Sequence, residues 1–218
     1  WNKAPNGSEG DADAKAGVAN TVKLLASLGH IVEQAEPTFD ADALGKSLMM
    51  TVSAAMAMVM GARGEALGRA LSEADMEAVT ARFAEFGNQI PMAELMKANQ
   101  ASITAALTFD HFMVDGGYDM MLAPTLARVP EKLGILSLNP ADMDDYGVAV
   151  STFAPWCALF NQIGAPAMSV PLHWTDANLP IGIMFGARCG HEEALFTLAA
   201  QLETAQPWAH RRPPIWVG

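Results

Sequence analysis

Several groupings in this 218-residue chain hold residue types that could do chemistry. Ser169, His173 and Asp176 are the types of a nucleophile relay, in which imidazole takes the serine proton and a carboxylate orients the ring. Their spacing argues against it. On a strand, Ser169 and His173 share one face about 13 Å apart at roughly 3.3 Å per residue, beyond the hydrogen-bond reach of a general base. No G-x-S-x-G elbow is present either, so Ser169 is expected to be structural. His191-Glu192 begins like the H-E-x-x-H zinc motif, but Leu195 stands where the second ligand is needed. A helix N-terminus is the better reading of that pair. Cys157 is flanked by Pro155, Trp156, Ala158 and Leu159, none of which lowers a thiol pKa. It reads as a small buried hydrophobe, and Cys189 beside Gly190 is equally unremarkable as chemistry. Phe153 and Trp156, three apart on one helical face, serve either core packing or the wall of an apolar pocket. Glycine-rich phosphate loops are absent. The residues themselves yield no catalytic set, no metal site and no cofactor site.

The elements that must carry these residues are legible from periodicity. Glu9 to Leu28 reads as a helix with Val18, Val22, Leu25 and Leu28 on one face and Gly29 as its cap. His30 to Ala35 follows as a short strand ended by Pro37. Asp40 to Ala62 is a second helix, broken by Gly61, Gly64 and Gly68. Its uncharged run, Ser47 to Ala62, is short for a membrane span and favours a buried helix. Ser72 and Asp75 form a capping-box pattern before Met76, Val79, Phe83 and Phe86, with Gly87 as the stop. Pro91 opens a further helix, antiparallel to the last and closed by Gly116-Gly117. Tyr118 to Leu122 is a strand, and Leu126 to Asn139 a long loop. Ser151 to Ile163 is a helix. Pro166 to Trp174 and Ile181 to Arg188 form a hairpin, and His191-Glu192-Glu193 opens a last helix that buries Leu195, Leu198, Ala199 and Leu202. The fold class is α/β: a mixed β-sheet covered by helices.

Composition narrows the function classes. A net charge of -11 with no basic stripe argues against nucleic-acid binding. The 2 cysteines form no C-x-x-C pair, which fits a reducing, cytoplasmic setting. No membrane segment is expected. Only 17% of residues are charged, sparse for a domain that covers itself. The chain opens Trp-Asn-Lys-Ala-Pro, without Met or a leader pattern, and so reads as a piece of something longer.

Four blocks carry a resemblance, in order: "AKAGVANTVKLLASLGHIVEQAEPTFD", "YDMMLAPTLARVPEKLG", "FNQIGAPAMSVPLHW" and "LPIGIMFGARCGHEEALFTLAAQLETAQPW". They resemble the C-terminal portion of the amidase signature family, in a flavour similar to the bacterial amidases that include cyclic-dimer hydrolases of nylon oligomers. The region from Phe160 to Pro214 is the most informative. The resemblance implies the C-terminal part of the amidase signature fold, with a helical insertion about 40–115 and a closing sheet and helix about 118–206. It implies metal-free, cofactor-free hydrolysis of carboxylic amides by a lysine, a bridging serine in a cis peptide and a nucleophilic serine. All three lie upstream in the family, so no catalytic residue carries over to this chain. What carries over is a pocket wall on the helix before the Phe-Asn-x-x-Gly block: Phe153, Trp156, Cys157 and Asn161. Asn161 has a structural cap as its alternative role, and the loop after Pro124-Thr125 is a second candidate wall.

Two functions are therefore weighed. In the first, the chain is the C-terminal fragment of an amidase. It adds scaffold and pocket wall, meets a small-molecule amide only together with the missing N-terminal portion, and is inactive alone. In the second, it is a non-catalytic, stand-alone binding or assembly module that retains the scaffold. Exposed apolar faces would favour the first. The many apolar residues point to a large interface, with a second copy in a homo-oligomer or with the missing portion.

Overall fold

A computed structural model describes Trp1, residues 3–213 and Ile215. Pro214, which closes the Phe160 block, lies outside the described residues.

Helix α1 (Ala12–Ser27) starts where Asp11 turns its carboxylate onto the Ala14 N–H at 2.8 Å, satisfying one of the donors a helix start leaves open. Gly29, at φ +93°, takes the left-handed conformation after it. The strand expected over His30 to Ala35 does not form. This stretch has no regular structure, and Ile31 is 92% exposed. A strand is defined by a hydrogen-bonded neighbour, and this stretch pairs with none of the sheet's strands.

Helix α2 (Ala41–Leu67) is capped by Asp40 and runs through both Gly61 and Gly64. Each interior glycine costs only about 1 kcal/mol relative to alanine, too little to break a 27-residue helix. It stops at Gly68, whose φ of +64° supplies the left-handed cap. The Ser72–Asp75 capping box does form: the Asp75 carboxylate accepts from the Ser72 N–H and hydroxyl, both at 2.8 Å. Arg69 grips the same carboxylate at 2.7 Å, and its hydrogen bond holds the acid well below the usual carboxylate range. The box closes a short 3-10 turn (Glu73–Asp75) rather than a long helix. Helix α3 (Ala78–Gln89) begins later, with its first N–H taken by Asn139. It also passes through Gly87 instead of ending there, because Gly87 is a contact point. A Cβ there would fall 2.0 Å from the Ser53 carbonyl oxygen of α2.

Pro91 caps α4 (Met92–Gly116), which ends at Gly117 with φ +66°. The α3 and α4 helices both pack chiefly along α2, not along each other. Strand β1 (Met121–Pro124) lies three residues later than expected at its start. The single helix expected over Ser151 to Ile163 is two, α5 (Met143–Phe153) and α6 (Cys157–Ile163). Pro155 explains the break: it lacks an N–H and pushes its predecessor out of the helical region, so Ala154 sits at φ -122°, ψ 53°.

The hairpin is present as β2 (Ala167–Trp174) and β3 (Pro180–Gly186), followed by α7 (Glu192–Ala205). The sheet order is β1-β3-β2, with both pairings antiparallel. A bulge between Pro171 and His173 changes one expectation. Ser169 lies opposite Met184 on one face, whereas His173 pairs with Ile181 and packs beside Gly17 of α1 on the other. The two residues do not share a face, which removes the relay more firmly than distance alone.

The sheet divides the core into two. On one side Val170, Leu172, Ile181, Ile183 and Phe185 meet Val18 and Leu25 of α1 and Leu195, Leu198 and Leu202 of α7. Burying each such side chain contributes about 1.5–3 kcal/mol. On the other side Met121, Ala123 and Met184 meet Phe109 and Met113 of α4 and Leu159, Phe160 and Ile163 of α6. Phe160 lies directly on Gly186, where a Cβ would fall 2.2 Å from its ring, and meets Phe109 edge-to-face at 5.7 Å. The molecule is thus α/β, with helices on both faces of the sheet.

Candidate functional site

The candidate wall sits at the α5–α6 break and at the exit of β1. Leaving β1, Thr125 donates its N–H to the Gly182 carbonyl at 2.9 Å. Its hydroxyl meets that of Ser169 at 2.6 Å. Gly182 between them must stay bare, since a Cβ would fall 2.7 Å from Ser169 Oγ and 2.9 Å from Thr125 Oγ1. Ser169 is therefore engaged in bracing the sheet. Two residues on, the Ala127 N–H donates to the Phe153 carbonyl at 2.9 Å, which docks the loop onto the end of α5.

The loop's Arg128 then lies over the Phe153 ring, 5.4 Å from its centroid. Its guanidinium is oriented by Glu131 at 2.5 Å and by the Thr152 carbonyl at 3.1 Å. Cys157 donates its thiol to the Thr125 carbonyl at 3.2 Å, and burial pushes that thiol's pKa up. A raised pKa and a spent donor both oppose nucleophile chemistry. Trp156 is fully buried in the α4/α6 core, and its indole Nε1–H is buried without a hydrogen-bond partner among the described residues.

The structure thus brings Phe153, Cys157 and the Thr125–Arg128 loop into one cluster. Trp156 adjoins it but points into the core, and the break at Ala154-Pro155 separates Phe153 from Trp156 so that they share no helical face. Asn161 is on the exposed side of α6, inside the helix. It is not the cap, because Gly164 fills that position at φ +67°. Sequence reasoning named the loop after Pro124-Thr125 as a second candidate wall, but not the contacts by which Thr125 and Arg128 join it to Cys157 and Phe153. An arginine three residues before a glutamate in a proline-bearing loop was the available signal. An open groove of about 770 Å³ between α2 and α3 is lined by Ala57, Met60, Gly64, Met76 and Ala84 and touches none of the candidate residues. His191 caps α7, as its position suggested.

This arrangement of sheet, covering helices and loop has counterparts. The family model described as Amidase matches residues 3–196. The chain belongs to the amidase family. Among curated amidase relatives, the 6-aminohexanoate-cyclic-dimer hydrolase of Pseudomonas sp. (strain NK87) is 28% identical over 215 residues, covering 94% of this chain and 43% of that protein. The putative amidase AmiC of Mycobacterium leprae (strain TN) is 31% identical over 198 residues, covering 87% of this chain and 39% of that protein. A solved 6-aminohexanoate cyclic dimer hydrolase superposes with a TM-score of 0.80 at 28% identity, over 97% of this chain and 45% of that one. A bacterial aryl acylamidase shares the fold, with a TM-score of 0.71 at 18% identity. This amidase chain therefore spans less than half the length of the relatives it matches.

Proposed function

We propose that this chain is the C-terminal portion of an amide-hydrolysing enzyme, supplying scaffold and one wall of the substrate pocket. The observation that carries the reading is the family match across residues 3–196 in a chain spanning only 43% of the Pseudomonas hydrolase. The residue chemistry agrees. Ser169 is tied to Thr125, and Cys157 is half-buried and donates its thiol to a carbonyl. Neither is poised as a nucleophile, so the Ser-Ser-Lys machinery belongs to the portion upstream.

Exposed apolar side chains support this reading over a self-contained module. Met58 and Val59 of α2 and Met92, Met96 and Leu107 of α4 all stand in the open, as expected where more protein is meant to pack. In the assembled enzyme the wall consists of Phe153, Cys157 and the loop from Thr125 to Arg128, with Trp156 backing it and Asn161 at its margin. The substrate is a small carboxylic amide, linear or cyclic.

The test is a turnover assay of the purified 218-residue chain on an aryl amide such as a nitroanilide. No hydrolysis above buffer is expected. Hydrolysis that a substitution within this chain abolishes would overturn the proposal. The wall is tested by joining this chain to the catalytic portion of the Pseudomonas hydrolase. Phe153→Ala should then raise KM several-fold with kcat changed less.

A further inference from the structure

We infer that the segment Gln206–Arg211 is a strap over the free edge of β2, latched by Arg211 on Trp174, and that opening it turns this edge into a strand-pairing surface for a second copy of the chain. The inference does not depend on the amide-hydrolysis reading. It concerns the opposite end of the sheet from β1.

The sheet order sets the edge. In β1-β3-β2, strand β2 has β3 on one side and no strand among the described residues on the other. Which of its backbone groups look outward follows from β1. The Gly182 carbonyl of β3 accepts from the Thr125 N–H, so Gly182 turns its polar groups toward β1. Pro171, its register partner on β2, therefore turns its own away from β3. Ser169 and Ala167 follow at alternate positions and do the same, and both are exposed. Outward N–H and C=O groups of this kind are a template for another strand. Pro171 offers such a strand no donor, and the bulge after it breaks the repeat.

Beyond Pro171 the strap takes over. Leu172, the bulged residue, has no register partner on β3. Its carbonyl accepts instead from the Gln206 side-chain amide at 2.7 Å. Trp208 packs against the core on the α1/α7 side. A turn closed by the Arg211 N–H on the Trp208 carbonyl, at 3.0 Å, then redirects the chain. It sets the Arg211 guanidinium over the Trp174 ring, 3.9 Å from its centroid, where it also donates to Asn178 Oδ1 at 3.2 Å. A planar guanidinium can stack with its face and bond with its rim at once. Residues 206–211 thus run beside 172–178 in the same direction. The hairpin tip fixes the receiving side chain: Asn178 sits at φ +60°, and its N–H donates to the Thr175 carbonyl at 2.8 Å.

The strap hides the half of the edge that would make it long enough to pair. While it is closed, Ala167 and Ser169 are the outward donors left uncovered, too few to hold a strand. Once it opens, the edge runs the whole of Ala167–Trp174, 8 residues, the length of an ordinary strand. A second copy presents the same edge, and two such edges meet antiparallel about a two-fold axis. The latch is made by side chains at the surface, with Arg211 exposed and Trp174 half-buried, where a cation–ring contact is weakest. It can therefore open without disturbing the pairing of β2 with β3.

The experiment compares three chains by sedimentation over a range of concentrations: the full chain, Arg211→Ala, and a chain ended after Ala205. Amide hydrogen exchange at Ile183 and Phe185 of β3 is the folding control. The midpoint of self-association is expected to fall about threefold in concentration for Arg211→Ala, the loss of one exposed cation–ring contact. For the shortened chain it is expected to fall about tenfold or more. Ala167→Pro removes an outward N–H from the uncovered end of the edge and leaves the strap alone. Added to either opened chain, it should return the midpoint to that of the full chain.

Opened chains that associate no more readily than the full chain, with β3 still protected, would overturn the inference. So would an increase that Ala167→Pro leaves untouched, because the exposed Trp208 contact rather than the strand edge would then be what joins the copies. If the shortened chain loses its β3 protection, Arg211→Ala alone decides, since it leaves Trp208 in place. Neither readout uses turnover, so the outcome is separate from that of the hydrolysis assay.

Discussion

On the α1/α7 side of the sheet, large apolar side chains point inward: Val18, Leu25, Ile183, Phe185, Leu198 and Leu202 are all buried. In α2 the pattern is reversed. The helix buries Ser47 and Ser53 completely, together with Leu44, and leaves Met49, Val52, Met58, Val59 and Leu67 exposed. The first region is a finished layer whose residues have found their partners. The second is an arm held to its neighbours by small residues at close range. Ser47 Oγ bonds the Ala98 carbonyl and Ser102 Oγ of α4, both at 2.7 Å, and Gly87 of α3 rests on the Ser53 backbone. Small buried contacts let helices approach closely, but they remove little apolar area from water. The lesson is that the apolar count of α2 measures exposed surface rather than core.

The contrast is broken most severely from the finished layer. Phe185 is 1% exposed, and Phe185→Ala removes a whole ring between the sheet and its helices. The expected loss is about 3–5 kcal/mol, read as a drop in the urea midpoint at constant slope. A loss below about 1 kcal/mol would mean that this layer is no better packed than the arm.

The next test strikes the arm where its backbones touch. Gly87→Ala places a methyl against the Ser53 carbonyl oxygen, and backbone cannot step aside as a flexible side chain can. Overpacking of this kind costs about 1–3 kcal/mol, which outweighs the gain of about 1 kcal/mol from removing a helix glycine. Gly61→Ala is the internal comparison. Nothing lies within 4 Å of its added Cβ, so it should stabilise the chain by about 0.5–1 kcal/mol. If the two substitutions move the midpoint in the same direction, the close approach of α3 to α2 is not what holds the arm.

Ser47→Ala is milder. It removes the hydroxyl that links α2 to α4, with an expected cost of about 0.5–1.5 kcal/mol. Ser102→Ala should cost no more, because Ser47 keeps its bond to the Ala98 carbonyl. A double-mutant cycle over the pair isolates the hydroxyl–hydroxyl term.

The same division decides what the sequence revealed. Helix α1, the β2–β3 hairpin and α7 were legible because one periodic apolar face meets one partner layer. Val18, Leu25, Leu195, Leu198 and Leu202 could be named from spacing alone. The errors gather where a tertiary partner decides. Gly61, Gly64 and Gly87 look like breaks by composition, yet the first two are tolerated and the third is a contact. His30–Ala35 has the composition of a strand but lacks the neighbour that would make it one. The bulge in β2, which turns His173 to the α1 side, leaves no trace in the residue types around it. For the candidate wall, Phe153 and Cys157 were nameable through the family blocks. The loop after Pro124-Thr125 was nameable in the same way, but its contacts to Cys157 and Phe153 were not, because they join segments far apart along the chain. Trp156 and Phe153 looked like one face until Pro155 divided their helix.

The smallest expected effect bears most directly on what covers the arm. Met58 of α2 is 70% exposed, and surface substitutions of this kind usually change stability by less than about 0.5 kcal/mol. Met58→Lys should therefore leave the urea midpoint of this chain nearly unchanged. Its effect should appear only in assembly, where a buried ammonium without a partner is strongly disfavoured. Sedimentation over a range of concentrations separates the possible covers. If the chain self-associates through α2, the lysine shifts the midpoint of that association upward in concentration. If the association is unmoved, the Met58 face is not where copies meet. A fall in the urea midpoint of the isolated chain by more than 1 kcal/mol would contradict the description of α2 itself, because Met58 would then have been part of a core.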